Sequence, residues 1–235
     1  MKKIRFAILL LAAGCSSPEL PKQEKAPVIT STELDTFYLG STLVKVERIN
    51  KSEFDQAQGD ESEQADGEHI QISDSNIVQR KGDSLWIFTE KGRVSFINRP
   101  SDGDDVEEYR YLGYNRDIRQ YVVMGSYWEW FNYYLVDAAS GDSLCVYGTP
   151  VISPSKTWFA CGNGDLLAGM TYNGLAIFKN TQPPTKIGER ELRDWGPKSL
   201  RWTKRDELLV EALEFDTTSS THEKITYLKL LFQKP

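Results

Sequence analysis

The feature that most constrains the fold of this chain is a succession of short apolar runs separated by turn signals, clearest between residues 120 and 180. At 136–141 two such runs are joined by a tight loop, with Asp137 at its start and Gly141 where a positive φ is needed. After the amino-terminal segment no run has a sustained helical period with caps, and residues 188–195 are the best candidate for one short helix. The pattern predicts an all-β protein built as an antiparallel meander.

Strand and turn signals also occur before this stretch. Residues 36–50 are partly alternating and are interrupted at Gly40. Between residues 69 and 98, apolar runs are separated by the Lys-Gly dipeptides at 81–82 and 91–92. These dipeptides leave room only for tight antiparallel turns, so the region is predicted to form hairpins.

Composition and charge limit the classes of partner. The 235 residues are 40% hydrophobic and 11% aromatic, enough for a substantial core, and the formal net charge is −6. Without residues 1–14 the chain loses Lys2, Lys3 and Arg5 and no acidic residue, which leaves a net charge of −9. Nucleic acids and anionic lipids are bound by clustered Lys and Arg, so the acidic body argues against both as partners.

The first 14 residues have the parts of a secretory signal peptide: a basic head at 1–5, an apolar run at 6–13 and small residues before Cys15. The apolar run is too short to span a bilayer, which needs about 20 residues. The segment Leu11-Ala12-Ala13-Gly14-Cys15-Ser16-Ser17 resembles the lipobox of bacterial lipoproteins, which signal peptidase II cuts before the cysteine. The alternative is an ordinary signal peptide followed by an unrelated cysteine.

The resemblance implies a diacylglycerol thioether on Cys15 and an acyl group on its new amino terminus. Two or more acyl chains anchor a protein stably, whereas one holds it only marginally. Ser16, in place of Asp, resembles the signal for transfer to the outer membrane. We therefore expect a lipid-anchored protein of the cell outer membrane, on its periplasmic or surface face.

The remaining chain divides into two regions. Residues 15–34 contain three prolines and many charges, which predicts a lipidated cysteine followed by a flexible tether. Residues 35–235 are predicted to form a single β-rich domain with a disordered acidic loop at about 52–68. The carboxylates of that loop suggest calcium, but the spacing around Gly67 does not match an EF-hand.

A faint repeat runs through residues 106–232. An apolar residue, a polar turn and a buried strand begin near residues 112, 152 and 202, at spacings of 40 and 50 residues. Propeller blades have a length of about 40–50 residues. The repeat therefore predicts four-stranded antiparallel units.

Two segments carry a second resemblance. Residues 150–160 resemble the Ser-Pro-Asp-Gly-Lys turn of TolB-type and WD40-like propeller repeats, with Ser155 in place of the Asp and without the Gly. Residues 137–141 resemble the outer hairpin of such blades. The resemblance implies a propeller-like arrangement, which needs at least about four blades and therefore the strands before residue 98. A β-sandwich or an open meander is the alternative.

Cys145 and Cys161 are the cysteines other than Cys15, and each lies in a predicted strand on either side of one turn. Disulfides persist in exported proteins, so the two can pair. Pairing also requires their Cα atoms to lie within bridging distance. The alternative is two small buried thiols.

The most unusual local composition is the aromatic stretch at 127–134. One interpretation is a platform for a sugar ring or a peptide, made by Tyr127, Trp128 and Trp130, with Glu129 and Asn132 supplying hydrogen bonds. The other is a strand and its turn with both faces covered, in which aromatic residues are simply good strand formers. If the protein has a binding surface, this stretch is our first candidate for it.

Motifs of common enzymes do not occur. The sequence has no nucleophile elbow, no phosphate-cradling glycine loop and no dinucleotide fingerprint. His69 and His222 are the two histidines, and neither has a His or Cys at metal-ligand spacing. We therefore predict no catalytic residue, metal or cofactor, although a carboxylate pair for glycoside hydrolysis is set by distance in space and stays open.

These features favour a lipid-anchored, non-enzymatic binding or scaffolding module of the cell envelope. Its expected partners are the membrane, through the anchor, and an envelope protein or a glycan. The alternative function is an envelope hydrolase acting on glycan or peptide, with the aromatic stretch lining its cleft. A third is an accessory subunit whose partner supplies the activity.

Overall fold

The computed structural model describes residues 33–59, 76–218 and 220–233. Thr32–Pro235 forms one compact unit. Cys15, the predicted signal peptide, the predicted tether up to residue 32 and the predicted acidic loop from residue 60 onward lie outside the described residues.

Strands dominate the described part of the chain. In chain order the elements are β1 (Glu33–Leu39), β2 (Thr42–Ile49), α1 (Lys51–Asp55), β3 (Gln58–Gly59), β4 (Val78–Lys81), β5 (Ser84–Thr89), β6 (Gly92–Ile97), β7 (Glu107–Asn115), β8 (Gln120–Tyr127), β9 (Phe131–Asp137), β10 (Ser143–Val146), β11 (Val151–Ile152), β12 (Trp158–Asn163), β13 (Gly174–Lys179), β14 (Thr185–Glu191), β15 (Trp195–Trp202), β16 (Leu208–Phe215) and β17 (Glu223–Gln233).

The strands form four sheets, and neighbouring strands in them pair antiparallel. Their strand orders are β4-β5-β6 in sheet I, β10-β9-β8-β7 in sheet II, β11-β12-β13-β14 in sheet III and β1-β2-β17-β16-β15-β3 in sheet IV. The all-β antiparallel prediction is confirmed, and sheets II and III have the four strands expected of each unit. Within the described residues no sheet closes on itself.

The turns follow local sequence signals. Gly40, Gly82 and Gly141 have φ values of 58°, 56° and 77°, where a side chain would be strained. Lys156 has a φ of 57° at the position where the Ser-Pro-Asp-Gly-Lys turn has glycine. All three segments of the predicted repeat are strand–turn–strand hairpins, made by β7–β8, β11–β12 and β15–β16.

Residues 188–195 are not helical, and that prediction is wrong. They belong to β14, the turn after it and the start of β15. β14 is an edge strand whose charged residues are exposed on both sides, so its sequence lacks the alternation of a half-buried strand. A Cβ on Gly188 would collide with the backbone of Leu39, which shows how closely β14 passes β1.

The first part of the predicted acidic loop is ordered. Residues 51–59 form α1 and β3, and the Asn50 side chain caps α1 by accepting a hydrogen bond from the amide of Glu53 at 2.9 Å. Phe54 is 2% exposed and its ring lies 5.3 Å from that of Tyr227. This one apolar side chain, which attaches α1 to sheet IV, explains why the segment is not a free loop.

Successive sheets pack face to face through three core clusters. Between sheets I and II the core contains Ile87, Val123 and Val136, among others. Sheets II and III share a core that includes Leu135 and Phe159. The largest core joins sheets III and IV. It includes Leu39, Val44, Ala160, Leu175, Ile177, Trp202 and Leu230.

The antiparallel strands give the domain two ends. At the distal end, turns of three sheets meet: Lys156 lies 2.6 Å from Asp117, and the amide of Ser155 donates to Asp206 at 3.3 Å. We call the opposite end, where β1 begins at Glu33, the basal end. Following the strand directions, it carries the β8–β9 turn at 128–130, the β12–β13 loop at 164–173 and the β16–β17 loop at 216–222.

Candidate functional site

The aromatic stretch forms a hairpin at the basal end of sheet II. β8 ends at Tyr127 and β9 begins at Phe131. Trp128 and Glu129 lie in the turn, and the Tyr127 amide donates to the carbonyl of Trp130 at 2.8 Å. We call residues 127–130 the aromatic hairpin.

The tip of the aromatic hairpin presents indole rings to solvent. Trp128 is 57% exposed and Trp130 is 44% exposed, although large aromatic side chains are buried on average. The Trp130 ring stacks on Tyr127 at a centroid distance of 3.8 Å and an interplanar angle of 11°. Glu129, which follows Trp128 in the turn, is also exposed. The structure therefore exposes the predicted Trp128, Glu129 and Trp130 at the tip of one hairpin, with the half-buried Tyr127 under Trp130.

The rest of the stretch packs between sheets. Phe131 and Tyr133 belong to the core with sheet III, and Tyr134 belongs to the core with sheet I. The two sequence interpretations thus apply to different parts of the stretch: the turn is exposed, whereas the strand after it has both faces covered.

Asn132 lies behind the aromatic hairpin and is 5% exposed. Its amide nitrogen donates to the sulfur of Cys145 at 3.2 Å and to the hydroxyl of Tyr134 at 3.4 Å. Its Oδ1 is buried without a hydrogen-bond partner among the described residues. Gly125 is opposite Asn132 on β8, and a Cβ there would lie 2.9 Å from Oδ1. The glycine therefore makes the space that the amide occupies.

Phenol rings support the hairpin from the side of sheet I. The hydroxyls of Tyr127 and Tyr134 are 2.7 Å apart, and Tyr109 meets Tyr127 edge to face at 6.3 Å. Burial raises the pKa of Tyr127, and its hydrogen bonds to Tyr134 and Tyr109 raise it further. Burial also raises the pKa of Tyr109. Raised pKa values keep Tyr127 and Tyr109 protonated at neutral pH, so both can donate hydrogen bonds that orient the Trp130–Tyr127 stack.

Cys145 and Cys161 are both free thiols in the structure, so the bridge that was one of the two interpretations is not formed here. Cys145 lies on β10, the edge strand of sheet II, and is exposed, whereas Cys161 on β12 of sheet III is buried in the core between the two sheets. Of the two thiols, only Cys161 fits the buried alternative. Burial raises the pKa of Cys145, although the hydrogen bond from Asn132 opposes this, and burial raises the pKa of Cys161. Protonated thiols are poor nucleophiles.

Open clefts lie elsewhere, where β1 begins. Two open clefts of about 460 and 500 Å³ share Asp35, Asp194 and Trp195 in their walls. Their charges are of both signs and partly paired: Arg48 lies 3.0 Å from Glu214. We place the candidate site at the aromatic hairpin because exposed, stacked aromatic rings are the feature that ordinary folding does not require.

The described residues contain no group of three His, Cys, Asp or Glu side chains that could hold a metal ion. None of the helices in the described ranges is long and apolar enough to cross a membrane. Sequence reasoning missed the supporting roles of Gly125, Tyr109 and Phe96, whose ring lies 5.3 Å from Tyr109 and 5.4 Å from Tyr134. Gly125 could have indicated this packing from the sequence, because a glycine inside a strand often marks a place where another part of the protein approaches the backbone closely.

Comparison of the chain with protein-family models, with curated proteins and with solved structures finds no match to any of them.

Proposed function

We propose that this protein is a lipid-anchored, non-enzymatic binding module of the cell envelope, held in the outer membrane through Cys15. The aromatic hairpin is its ligand-binding surface. The observation that carries the proposal is the pair of exposed indoles, Trp128 and Trp130. Trp130 stacks on the half-buried ring of Tyr127, and the Tyr127 hydroxyl is hydrogen-bonded to that of Tyr134. An exposed aromatic surface on a rigid support is typical of binding sites.

The ligand class that suits this surface is a glycan. The face of an indole packs against the apolar face of a sugar ring, and a neighbouring carboxylate accepts hydrogen bonds from sugar hydroxyls. Trp128 and Trp130 supply the rings and Glu129 supplies the carboxylate. An apolar peptide is the competing ligand, and it would not need Glu129.

We also propose a propeller-like arrangement for the four sheets. Three successive pairs of sheets share a core, and β1 and β2 complete the sheet that β15, β16 and β17 begin. In a circular arrangement of sheets, the array can be closed by one sheet that contains both the first and the last strands of the chain. A sandwich-like stacking of the same sheets is the competing arrangement.

The surroundings of the hairpin favour binding over catalysis. The groups nearest to it are the phenol of Tyr127, whose pKa is raised by burial, the buried amide of Asn132 and the thiol of Cys145, whose pKa is also raised. A nucleophile or general base needs a pKa matched to its task, usually through a partner that activates it. Turnover of any glycan or peptide in a substrate panel would overturn the non-enzymatic assignment.

Binding is tested by titrating the purified protein with a panel of envelope glycans and peptides and following tryptophan fluorescence. Trp130→Ala is expected to weaken glycan binding about tenfold or more, which corresponds to at least about 1.4 kcal/mol. Glu129→Gln should weaken glycan binding and leave peptide binding unchanged. Trp86→Ala is the control, since Trp86 lies in sheet I, where Arg93 packs over its ring at 4.6 Å. Equal loss in both tryptophan variants would contradict the proposed site.

Anchoring is tested separately by the intact mass of the protein from a membrane fraction. The wild type should carry the mass of diacylglycerol and acyl groups, and Cys15→Ala should lack it. An unmodified wild-type protein would remove the anchor and the membrane location from the proposal, while the binding result would stand.

A further inference from the structure

Exposed apolar side chains are unevenly distributed over the two ends of the domain. Among the described residues, ten large hydrophobic side chains are exposed. Three of them, Tyr38, Ile77 and Tyr114, lie toward the distal end. The other seven lie toward the basal end. They are Ile97, Trp128, Trp130, Leu167, Met170, Phe215 and Ile225. Single exposed apolar residues are ordinary, but a concentration at one end marks an interaction surface.

Two of these seven side chains lie in a loop whose backbone is held by hydrogen bonds to one carboxylate. Leu167 is 46% exposed and Met170 is 52% exposed in the β12–β13 loop. The Asp165 carboxylate accepts hydrogen bonds from the amides of Gly169, Met170 and Thr171, at 3.2, 2.7 and 2.5 Å, and from the Thr171 hydroxyl at 2.9 Å. These hydrogen bonds close the loop between Asp165 and Thr171, and the closed loop presents Leu167 and Met170 to solvent.

Two more of the seven lie beside this loop on sheet IV. Phe215 is 57% exposed and Ile225 is 38% exposed, at the basal ends of β16 and β17. A small cleft of about 150 Å³ is lined by Leu166 and Leu167 on one side and by Leu213 and Glu223 on the other. Since Leu213 pairs with Ile225 and Phe215 with Glu223, the loop and the two strand ends form one surface. We call Leu167, Met170, Phe215 and Ile225 the apolar patch.

The chain enters the domain next to this patch. Asp35, two residues into β1, and Phe215 line the same open cleft. Cys15 precedes Glu33 by 18 residues, so the covalent chain cannot separate the two by more than about 60–65 Å. A lipid on Cys15 therefore confines Glu33, at the basal end, to within that distance of the bilayer, and a tether of this kind turns a weak contact into an effectively intramolecular one.

We propose that the apolar patch rests on the lipid surface to which the chain is anchored, so that the basal end faces the membrane. This inference rests on the anchoring part of the proposed function and adds the orientation of the domain. Leu, Met and Phe side chains enter the boundary between headgroups and acyl chains. The aromatic hairpin then meets its ligand in the space beside the bilayer.

The charge around the patch specifies the kind of lipid. Residues 164–170 and 213–225 contain four carboxylates, Asp165, Glu214, Asp216 and Glu223, and one lysine, Lys224. Anionic lipids attract basic segments and repel acidic ones. The patch therefore suits an uncharged or zwitterionic lipid surface and binds it through apolar contact.

The test uses the full lipidated chain in vesicles of phosphatidylcholine with brominated acyl chains. In a Cys145→Ser background, Met170→Cys carries an environment-sensitive fluorophore, and Tyr38→Cys at the distal end is the matched control, being 60% exposed. Co-flotation with the vesicles reports anchoring. We expect a blue shift and loss of emission for the label at 170 and neither change for the label at 38. Adding Leu167→Ser and Phe215→Ser should abolish the change at 170.

The outcomes separate the two proposals. Co-flotation without a change at 170 overturns the docking and leaves the anchor in place, and equal quenching of both labels also overturns it. Absence of flotation overturns the anchor and the docking with it. Replacing part of the phosphatidylcholine by phosphatidylglycerol should weaken the quenching at 170, and stronger quenching there would refute an uncharged lipid surface.

Discussion

Asp137, at the start of the β9–β10 loop, offers the sharpest test of how the turns hold the sheets. Its Oδ1 accepts the amides of Ala139 and Ser140 at 2.9 and 2.7 Å, and its Oδ2 accepts the side chain of Gln120 at 3.0 Å. Asp137→Asn keeps the shape but places an NH2 group against that of Gln120, which is 1% exposed. Losing that charge-assisted bond and weakening the other two should cost about 2–3 kcal/mol of unfolding free energy.

The pH dependence of this loss follows from the pKa of Asp137. Burial alone would raise that pKa, but the hydrogen bonds from Ser140, Ala139 and Gln120 outweigh it and lower the pKa below its ordinary value. A lowered native pKa contributes stability that is fully present above the unfolded-state value, about 3.9, and is lost as the pH falls through the native pKa. Because Asn does not titrate, the difference in unfolding free energy between the wild type and Asp137→Asn should become smaller below about pH 4.

Urea unfolding followed by tryptophan fluorescence, repeated from neutral to acidic pH, measures this gap. Asp142→Asn is the control in the same loop: Asp142 is exposed, so the change should stay within about 0.5 kcal/mol. Two results would refute the assignment of a buried, hydrogen-bonded carboxylate. One is no loss of unfolding free energy in Asp137→Asn at neutral pH, and the other is a loss that grows as the pH falls.

Three further predictions follow from other burial and contact differences. Trp202→Phe leaves the carbonyl of Val151 without the indole N–H at 2.9 Å and should cost about 1–3 kcal/mol, whereas Trp202→Ala also empties the core and should cost about 3–5 kcal/mol, both measured by chemical denaturation. A maleimide should modify Cys145 in the native protein and Cys161 only after denaturation, and mass spectrometry showing two native adducts would contradict the burial of Cys161. Trp128→Ala should change the unfolding free energy by no more than about 0.5 kcal/mol, because the side chain is 57% exposed; a larger loss would mean that it supports the fold.

The turns and hairpins could be predicted from sequence because their causes are local. Gly40, Gly82 and Gly141 adopt the positive φ for which glycine is chosen, and the Asp137 side chain bonds amides two and three residues away. Lys156 shows the limit of such signals. It takes the left-handed conformation without being glycine, so its residue type gives no sign of the positive φ.

What could not be predicted depends on contacts between distant parts of the chain. β2 pairs with β17, so that Lys45 is opposite Leu231, and no local pattern specifies that partner. The separation of Cys145 and Cys161 has the same origin. The strand that carries Cys145, β10, belongs to sheet II, whereas the strand that carries Cys161, β12, belongs to sheet III. Phe54 is a related case: one apolar residue in an acidic segment becomes structural because Tyr227 and Arg201, which are distant in sequence, pack against its ring.

The aromatic hairpin was only half predictable, and the reason bears on its role. Two-residue hairpin loops favour Gly, Asn or Asp with positive φ, since that geometry matches the strand twist. Trp128 and Glu129 occupy this loop without a positive φ, so neither residue type is there for the sake of the turn. Core packing does not explain them either, because both are exposed. Residues that break a local rule and gain nothing in packing are expected at functional sites. The position of Trp128 and Glu129 in the turn is therefore an argument for ligand contact that the aromatic composition of the stretch alone could not supply.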